Sequence, residues 1–187
     1  DTIAPFLILG AFISAGAAGT GFMSLSTQIA GRYRAGAAKV AVLSSALYGT
    51  ISGSASANTA STGMVTIPAM KRMGYPPSLA AATEAVASTG GQIMPPLMGA
   101  GIFVMAELLA LPYTTIMVAA TPAAVLFFVT TWVGVHQYAI KFDLKGMAAH
   151  ELPGWRRVAR TLPFFAVPFG VLIFVLGWTA YTPQYAA

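Results

Sequence analysis

A chain of 187 residues in which 57% are hydrophobic, 8% are charged and none is cysteine is built for lipid rather than water. Ordinary soluble domains carry about 25% charged residues, and a mean hydropathy of +0.73 excludes a globule with a wet surface; the missing cysteines exclude a disulfide framework and a Cys-based metal centre. The net charge of +5 does not point to nucleic acid, because the ten basic residues form no aromatic-bearing patch and sit in three short polar breaks.

At about 20 residues per span, the length holds about four to six membrane-embedded segments. The chain opens at Asp1 on an apolar run without a charged leader, and reads as an internal piece of a longer protein. Residues 1–36 are expected to hold a first span, Ile3 to Ala18, a Gly-rich break from Gly16 to Gly21, and a mildly amphipathic stretch that continues the span or lies along the cytoplasmic interface. Residues 37–72 set two apolar arms, Ala37 to Ile51 and Ala57 to Met70, on either side of the polar tip ISGSAS. An arm of about fifteen residues gives roughly 22 Å of helix against a hydrocarbon core of about 30 Å, so neither arm spans alone. Lys and Arg flanking apolar runs are held in the cytoplasm. Arg32, Arg34 and Lys39, then Lys71 and Arg72, then Lys141, Lys145, Arg156, Arg157 and Arg160 all fall on one side only if 37–72 enters and returns as a re-entrant helical hairpin.

Residues 76–111 read as a broken transmembrane helix. Pro76 and Pro77 open it, Ser78 to Thr89 is helical in character, GGQIMPP from Gly90 to Pro96 cannot continue a regular helix, and Leu97 to Ala110 resumes. Half-helices that meet at unwound backbone in mid-membrane recur in secondary transporters, where freed carbonyls coordinate cations. Residues 113–141 hold a tilted span, Thr114 to Ile140, with Trp132, His136 and Tyr138 near its cytoplasmic end, His136 being an interfacial polar residue in preference to a proton relay. A polar cytoplasmic loop, 142–160, leads to a last span, Leu162 to Ala180, within 161–187.

The stretch SGSASANTASTGMVTIPAMKRMGYPPSLAAATEAVASTGGQIMPPLMGAGIFVMAE resembles the large membrane subunit of tripartite ATP-independent periplasmic (TRAP) transporters, and STGGQIMPPLMGA is most like the fused permeases in which small and large subunits share one chain. The resemblance covers essentially the whole chain and about half of the family's large subunit. It implies an all-α, polytopic integral membrane protein with a re-entrant helical hairpin and a broken transmembrane helix, half of an inverted-repeat elevator-type ion transporter fold, with 161–187 running into the second repeat. It further implies a permease subunit, not an enzyme, that imports a small organic acid on a sodium gradient in a bacterial or archaeal cytoplasmic membrane. The implied partners are a periplasmic substrate-binding protein and a small-subunit membrane segment in the same full-length chain; no cofactor is implied beyond sodium as the coupling ion.

The family's hairpin-tip motif falls on Ser52, Gly53, Ser54, Ala55 and Ser56, with Asn58 just beyond, and its broken-helix motif on Gly90 to Pro96. By this resemblance Ser52, Gly53, Ser54, Ser56, Asn58, Gly90, Gly91, Ile93 and Pro95 are the candidate substrate- and ion-binding residues, with sodium held by the hydroxyls of Ser52 and Ser54 and the carbonyls at Gly90 and Ile93. Sodium is a hard cation suited to such oxygens. Each Gly or Ser alone is better read as close helix packing; their concentration at two breaks favours a site. Glu84 carries a proton, binds a cation, or, the favoured reading, pairs with Lys71 or Arg72 or supports the first turns of its helix through the dipole. Glu107 is expected to be solvated near the outer interface or to contact a partner. Two other functions stay open: an anion transporter with similar hairpins and no binding protein, and an intramembrane enzyme. The enzyme would need a Ser with a base, paired Asp residues or His ligands, and His136 and His150 have no partners at motif spacing.

Overall fold

The computed structural model describes residues 18–164 and, beyond them, 166, 167, 170, 171 and 174. The span expected from Ile3 and most of the one expected to end at Ala180 lie outside the described residues. Every regular element described is helical: α1 Ala18–Ala30, α2 Gly36–Ser52, α3 Ala55–Arg72, α4 Pro77–Gly90, a 3-10 turn Gly91–Ile93, α5 Gly101–Leu109, α6 Tyr113–Lys141, a second 3-10 turn Ala149–Glu151, and α7 Trp155–Thr161.

Helices α2 and α3 form an antiparallel hairpin. Ser45 Oγ lies 3.3 Å from Thr62 Oγ1, and Tyr48 Oη lies 2.9 Å from Ser61 Oγ. The tip is tighter than the six residues expected, because both helices run into it and leave only Gly53 and Ser54 between them. Gly53 ends α2 at φ 56°, its N–H donating to the Gly49 carbonyl, while the Ser54 hydroxyl caps α3 by accepting from the Ala57 N–H at 3.3 Å. The arms of 17 and 18 residues give about 26 and 27 Å of helix, still short of a core of about 30 Å.

Both ends of the hairpin meet the loop after α6. The Met147 N–H donates to the Gly31 carbonyl at 2.8 Å just before α2, and Gly74, just after α3, faces the Leu144 side chain. Arg34 pairs with Asp143 in the same region. The first two basic breaks and the start of the third, from Lys141 to Met147, therefore share one end of the molecule. The core between α2, α3, α4 and α6 is built largely of alanines, with Ala38, Ala41, Ala80, Ala87 and Ala139 fully buried beside Val42, Met70 and Leu144. Small side chains let helix backbones approach closely, which is how helices associate where lipid removes the hydrophobic drive.

Two boundaries differ from the sequence expectation. The Gly-rich stretch does not break the chain after Ala18, because Gly19 and Gly21 lie inside α1; a Cβ on Gly21 would stand 3.2 Å from the Thr161 carbonyl, so this glycine serves the approach of α1 to α7. The broken helix resumes at Gly101, not Leu97. The intervening N–H groups are used elsewhere: Leu97 donates to the Thr50 carbonyl on the hairpin at 3.2 Å, and Gly99 donates back to the Gln92 carbonyl at 2.7 Å.

At 29 residues, α6 is the one helix among the described residues long and apolar enough to cross a membrane. It is apolar nearly all round, and its outward Val118, Val125, Leu126, Val129 and Val133 are exposed, a composition that suits lipid rather than water.

Candidate functional site

The hairpin tip sits on the unwound middle of the broken helix, and glycine makes the contact. A Cβ on Gly53 would lie 1.9 Å from the Met98 carbonyl oxygen, and one on Gly49 would lie 2.3 Å from the Gly91 Cα. Backbone thus rests on backbone at two points one helical turn apart. The Leu97 to Thr50 hydrogen bond ties them together. From the other side the Tyr113 phenol, at the start of α6, donates toward the Pro96 and Leu97 carbonyls at 2.5 and 3.0 Å while its ring stacks on Phe103. The break is held from both faces.

Between tip and break opens a cleft of about 310 Å³ lined by Ser52, Gly53, Ser54, Gln92, Leu97 to Gly101 and Phe103. Its polar groups are hydroxyls, one side-chain amide and backbone carbonyls, with no charged side chain among the lining residues. Such a donor set fits a hard monovalent cation or a polar substrate group, and offers no carboxylate or imidazole for a transition metal. No group of three or more His, Asp or Glu that could hold a metal occurs among the described residues.

The sequence-predicted residues divide. Ser52, Gly53 and Ser54 line the cleft, and the exposed Ser56 adjoins it, its hydroxyl 3.3 Å from that of Ser54. Gly91 lies behind the cleft against Gly49. Gly90 faces away, toward the ring of Phe127 on α6, and Ile93 and Pro95 are half-buried outside the lining. Asn58 is fully buried below the tip, its amide donating to the Ser45 carbonyl at 2.9 Å. Glu107 is exposed.

Glu84 overturns the favoured reading. Lys71 and Arg72 are exposed at the end of α3, whereas the Glu84 side chain, two turns into α4, is fully buried among hydroxyls. Thr62 and Thr66 donate to its two carboxyl oxygens, and Ser45 and Ser88 reach Oε1, each at 3.2 Å. Its Cγ would stand 3.2 Å from a Cβ on Gly63, so that glycine makes room for it. His136 is not solitary either: its Nδ1 lies 3.3 Å from Lys39 Nζ, and that ammonium lies over the Trp132 ring at 5.1 Å.

Sequence reasoning passes over Gly49, Gln92, Met98 and the hydroxyls around Glu84. Some are readable. Gly49 and Gly53 stand four apart, as do Thr62 and Thr66, and Glu84 and Ser88, spacings that put each pair on one helix face.

A chain whose described elements are all helical, which carries a membrane-length apolar helix and seats a two-helix hairpin on the unwound middle of a broken helix, has the build of a helical membrane protein. More narrowly, the chain belongs to the family described as tripartite ATP-independent periplasmic transporter, DctM component, whose model matches residues 1–187. It is similar to the C4-dicarboxylate TRAP transporter large permease protein DctM of Pseudomonas aeruginosa, 35% identical over 91 residues that make up 49% of this chain and 21% of that protein. The protein of the same name from Rhodobacter capsulatus is 30% identical over 93 residues, 49% of this chain and 21% of its own. An uncharacterized protein, y4mL, of Sinorhizobium fredii is 35% identical over 91 residues, 49% of this chain and 22% of its own. The match thus spans about a fifth of the length of these curated relatives.

Proposed function

We propose that this chain is the first-repeat half of the membrane permease of a sodium-driven importer of small organic acids, of which C4-dicarboxylates are the class named for two of its relatives. In this reading a periplasmic substrate-binding protein delivers the acid, a small-subunit segment completes the membrane assembly, and the cytoplasmic membrane is crossed several times. The observation that carries it is the cleft in which Ser52 and Ser54 face the backbone of the break.

Sodium would be held by the Ser52 and Ser54 hydroxyls together with backbone carbonyls of the broken helix, at Gly90 and Ile93 or along the part of the break that lines the cleft. A bound sodium supplies a positive charge opposite an incoming carboxylate in a site with no fixed cation of its own. The chain's residues do the rest: Gly53 and Gly49 allow the tip to close on the break, Tyr113 fixes the carbonyls at Pro96 and Leu97, and Gln92 offers an amide to the substrate. Re-entrance is supported by geometry, since two short arms begin and end at the basic end of the molecule. An elevator-like displacement of hairpin and broken helix as one body is the motion this joint suits.

The test is uptake of succinate, a C4-dicarboxylate, by the full-length transporter with its binding protein in proteoliposomes across a sodium titration. Ser54→Ala is expected to raise the sodium concentration at half-maximal uptake by up to about tenfold, the value of one lost hydrogen-bond-like interaction of about 0.5–1.5 kcal/mol. An unchanged half-saturation point for both Ser52→Ala and Ser54→Ala would refute the hydroxyl assignment, and uptake indifferent to sodium would refute the coupling.

A further inference from the structure

The fully buried Glu84 has no part in the cleft, and its surroundings are specific. Ser45 comes from α2, Thr62 and Thr66 from α3 and Ser88 from its own helix, so the carboxyl lies where three helices meet. No cation answers it among the described residues. The charged and titratable groups nearby are otherwise engaged or exposed: Lys39 on α2 lies beside His136 of α6, Tyr48 on α2 meets Ser61, Lys71 and Arg72 are exposed at the end of α3, Lys141 ends α6 beside Phe142, and Arg157 of α7, which lines a pocket with Thr62, is exposed and forms no ion pair with Glu84. Arg34 with Asp143 is the ion pair found among the described residues. The hydroxyls contact the carboxyl oxygens directly, leaving no gap for a metal ion between them.

A hydroxyl is both donor and acceptor, and here each threonine has an alternative use for its proton. Thr62 Oγ1 lies 2.8 Å from the Asn58 carbonyl, and Thr66 Oγ1 lies 3.0 Å from the Thr62 carbonyl. With an ionised carboxylate, four O–H groups point inward. With a carboxylic acid, Thr66 turns its proton to the Thr62 carbonyl and accepts from Oε2 instead. Both states are satisfied without moving a heavy atom, so the same shell holds the carboxyl with or without its proton.

We propose that Glu84 is a proton-binding site of the permease, exchanging one proton with water through formation and cleavage of the O–H bond at Oε2. The site is wired to the hairpin joint. Ser45, which reaches Glu84 through its hydroxyl, accepts at its carbonyl from the Asn58 amide, and that amide nitrogen would stand 2.9 Å from a Cβ on Gly91. The hydrogen-bond chain that starts at the proton site thus ends at the contact between hairpin and broken helix.

The test is infrared spectroscopy of the purified full-length permease, reading the carbonyl stretch of a protonated carboxylic acid, which is separate from the carboxylate bands and shifts in deuterium oxide. At mildly acidic pH the spectrum is expected to contain one such band that Glu84→Gln removes, and the band should disappear as pH rises while helical content by circular dichroism stays constant. Thr66→Val, which removes the acceptor for the carboxyl proton, should move the band to higher frequency. The proposal is overturned if wild type and Glu84→Gln have the same spectrum, since the carboxyl is then ionised. It is also overturned if the band persists unchanged until the helices melt, since the proton is then a fixed part of the core.

Discussion

Adding a single methyl group at Gly49 tests the joint most sharply, because helix propensity and close packing predict opposite signs. Gly49 lies inside α2, where Gly→Ala in an open setting stabilises by about 1 kcal/mol. Gly134 is such a setting, inside α6, where an added methyl would meet nothing within 4 Å. At Gly49 the same methyl would lie 2.3 Å from the Gly91 Cα, against an ordinary carbon–carbon contact of about 3.5–4.0 Å. Helix α2 must retreat from the break by more than about 1 Å. That retreat strains the Leu97 to Thr50 hydrogen bond one residue away, at about 0.5–1.5 kcal/mol, and forces rearrangement of a close-packed contact at a further cost of about 1–3 kcal/mol. The balance is a net loss of about 1–3 kcal/mol for Gly49→Ala beside a gain of up to about 1 kcal/mol for Gly134→Ala. Thermal melting of the full-length permease in detergent reads the sign, and succinate uptake reads the consequence. If Gly49→Ala melts above wild type, as Gly134→Ala should, the close approach of hairpin and break is wrong and the reasoning fails.

Three further outcomes are expected. Cysteines at Arg34→Cys, Lys71→Cys and Lys145→Cys in this Cys-free stretch should react with an impermeant reagent from the cytoplasmic side, and Leu111→Cys from the other; reaction of positions 34 and 71 from opposite faces would exclude re-entrance. Tyr113→Phe keeps the ring stacked on Phe103 and loses the phenol's bond to the Pro96 and Leu97 carbonyls, so melting should fall by the equivalent of about 0.5–1.5 kcal/mol, with uptake lowered more than stability. Asp143→Asn removes the exposed partner of Arg34, whose side chains are 43% and 79% exposed for Arg and Asp, and should change stability by less than about 1 kcal/mol in a denaturation series, with the effect vanishing at high salt.

How much of the molecule is legible in its sequence follows from the physics of each signal. The helices come through because apolar runs and their polar interruptions are written residue by residue: Pro77 opens α4 and Lys141 ends α6 as expected. The two arms of the hairpin are legible from the apolar runs that flank its polar tip. Its tip is narrower than the sequence suggests, since a Ser-rich stretch looks irregular while Ser54 in fact caps and starts α3. The point of resumption after the break is hidden, because the hydrogen-bond partners that keep residues 97–99 out of a helix belong to Thr50 and Gln92, which no local pattern reveals. Glu84 misleads for the same reason in reverse. Basic residues at the end of α3 are visible along the chain, whereas the four hydroxyls that enclose the carboxyl are assembled from α2, α3 and α4 only by folding.

Lys39 sets the base of the hairpin apart from its tip. Its ammonium is wedged over the rings of Tyr33 and Trp132 and against His136, an interlock of large side chains that resists sliding in any direction. At the other end, Gly49 and Gly53 meet Gly91 and Met98 as bare main chain, with no knob to climb out of a hole. One end is interlocked by side chains and the other is closed by main chain. A change at the base is therefore absorbed by side chains that have rotamers to spare, whereas at the tip any added atom falls on main chain that has none.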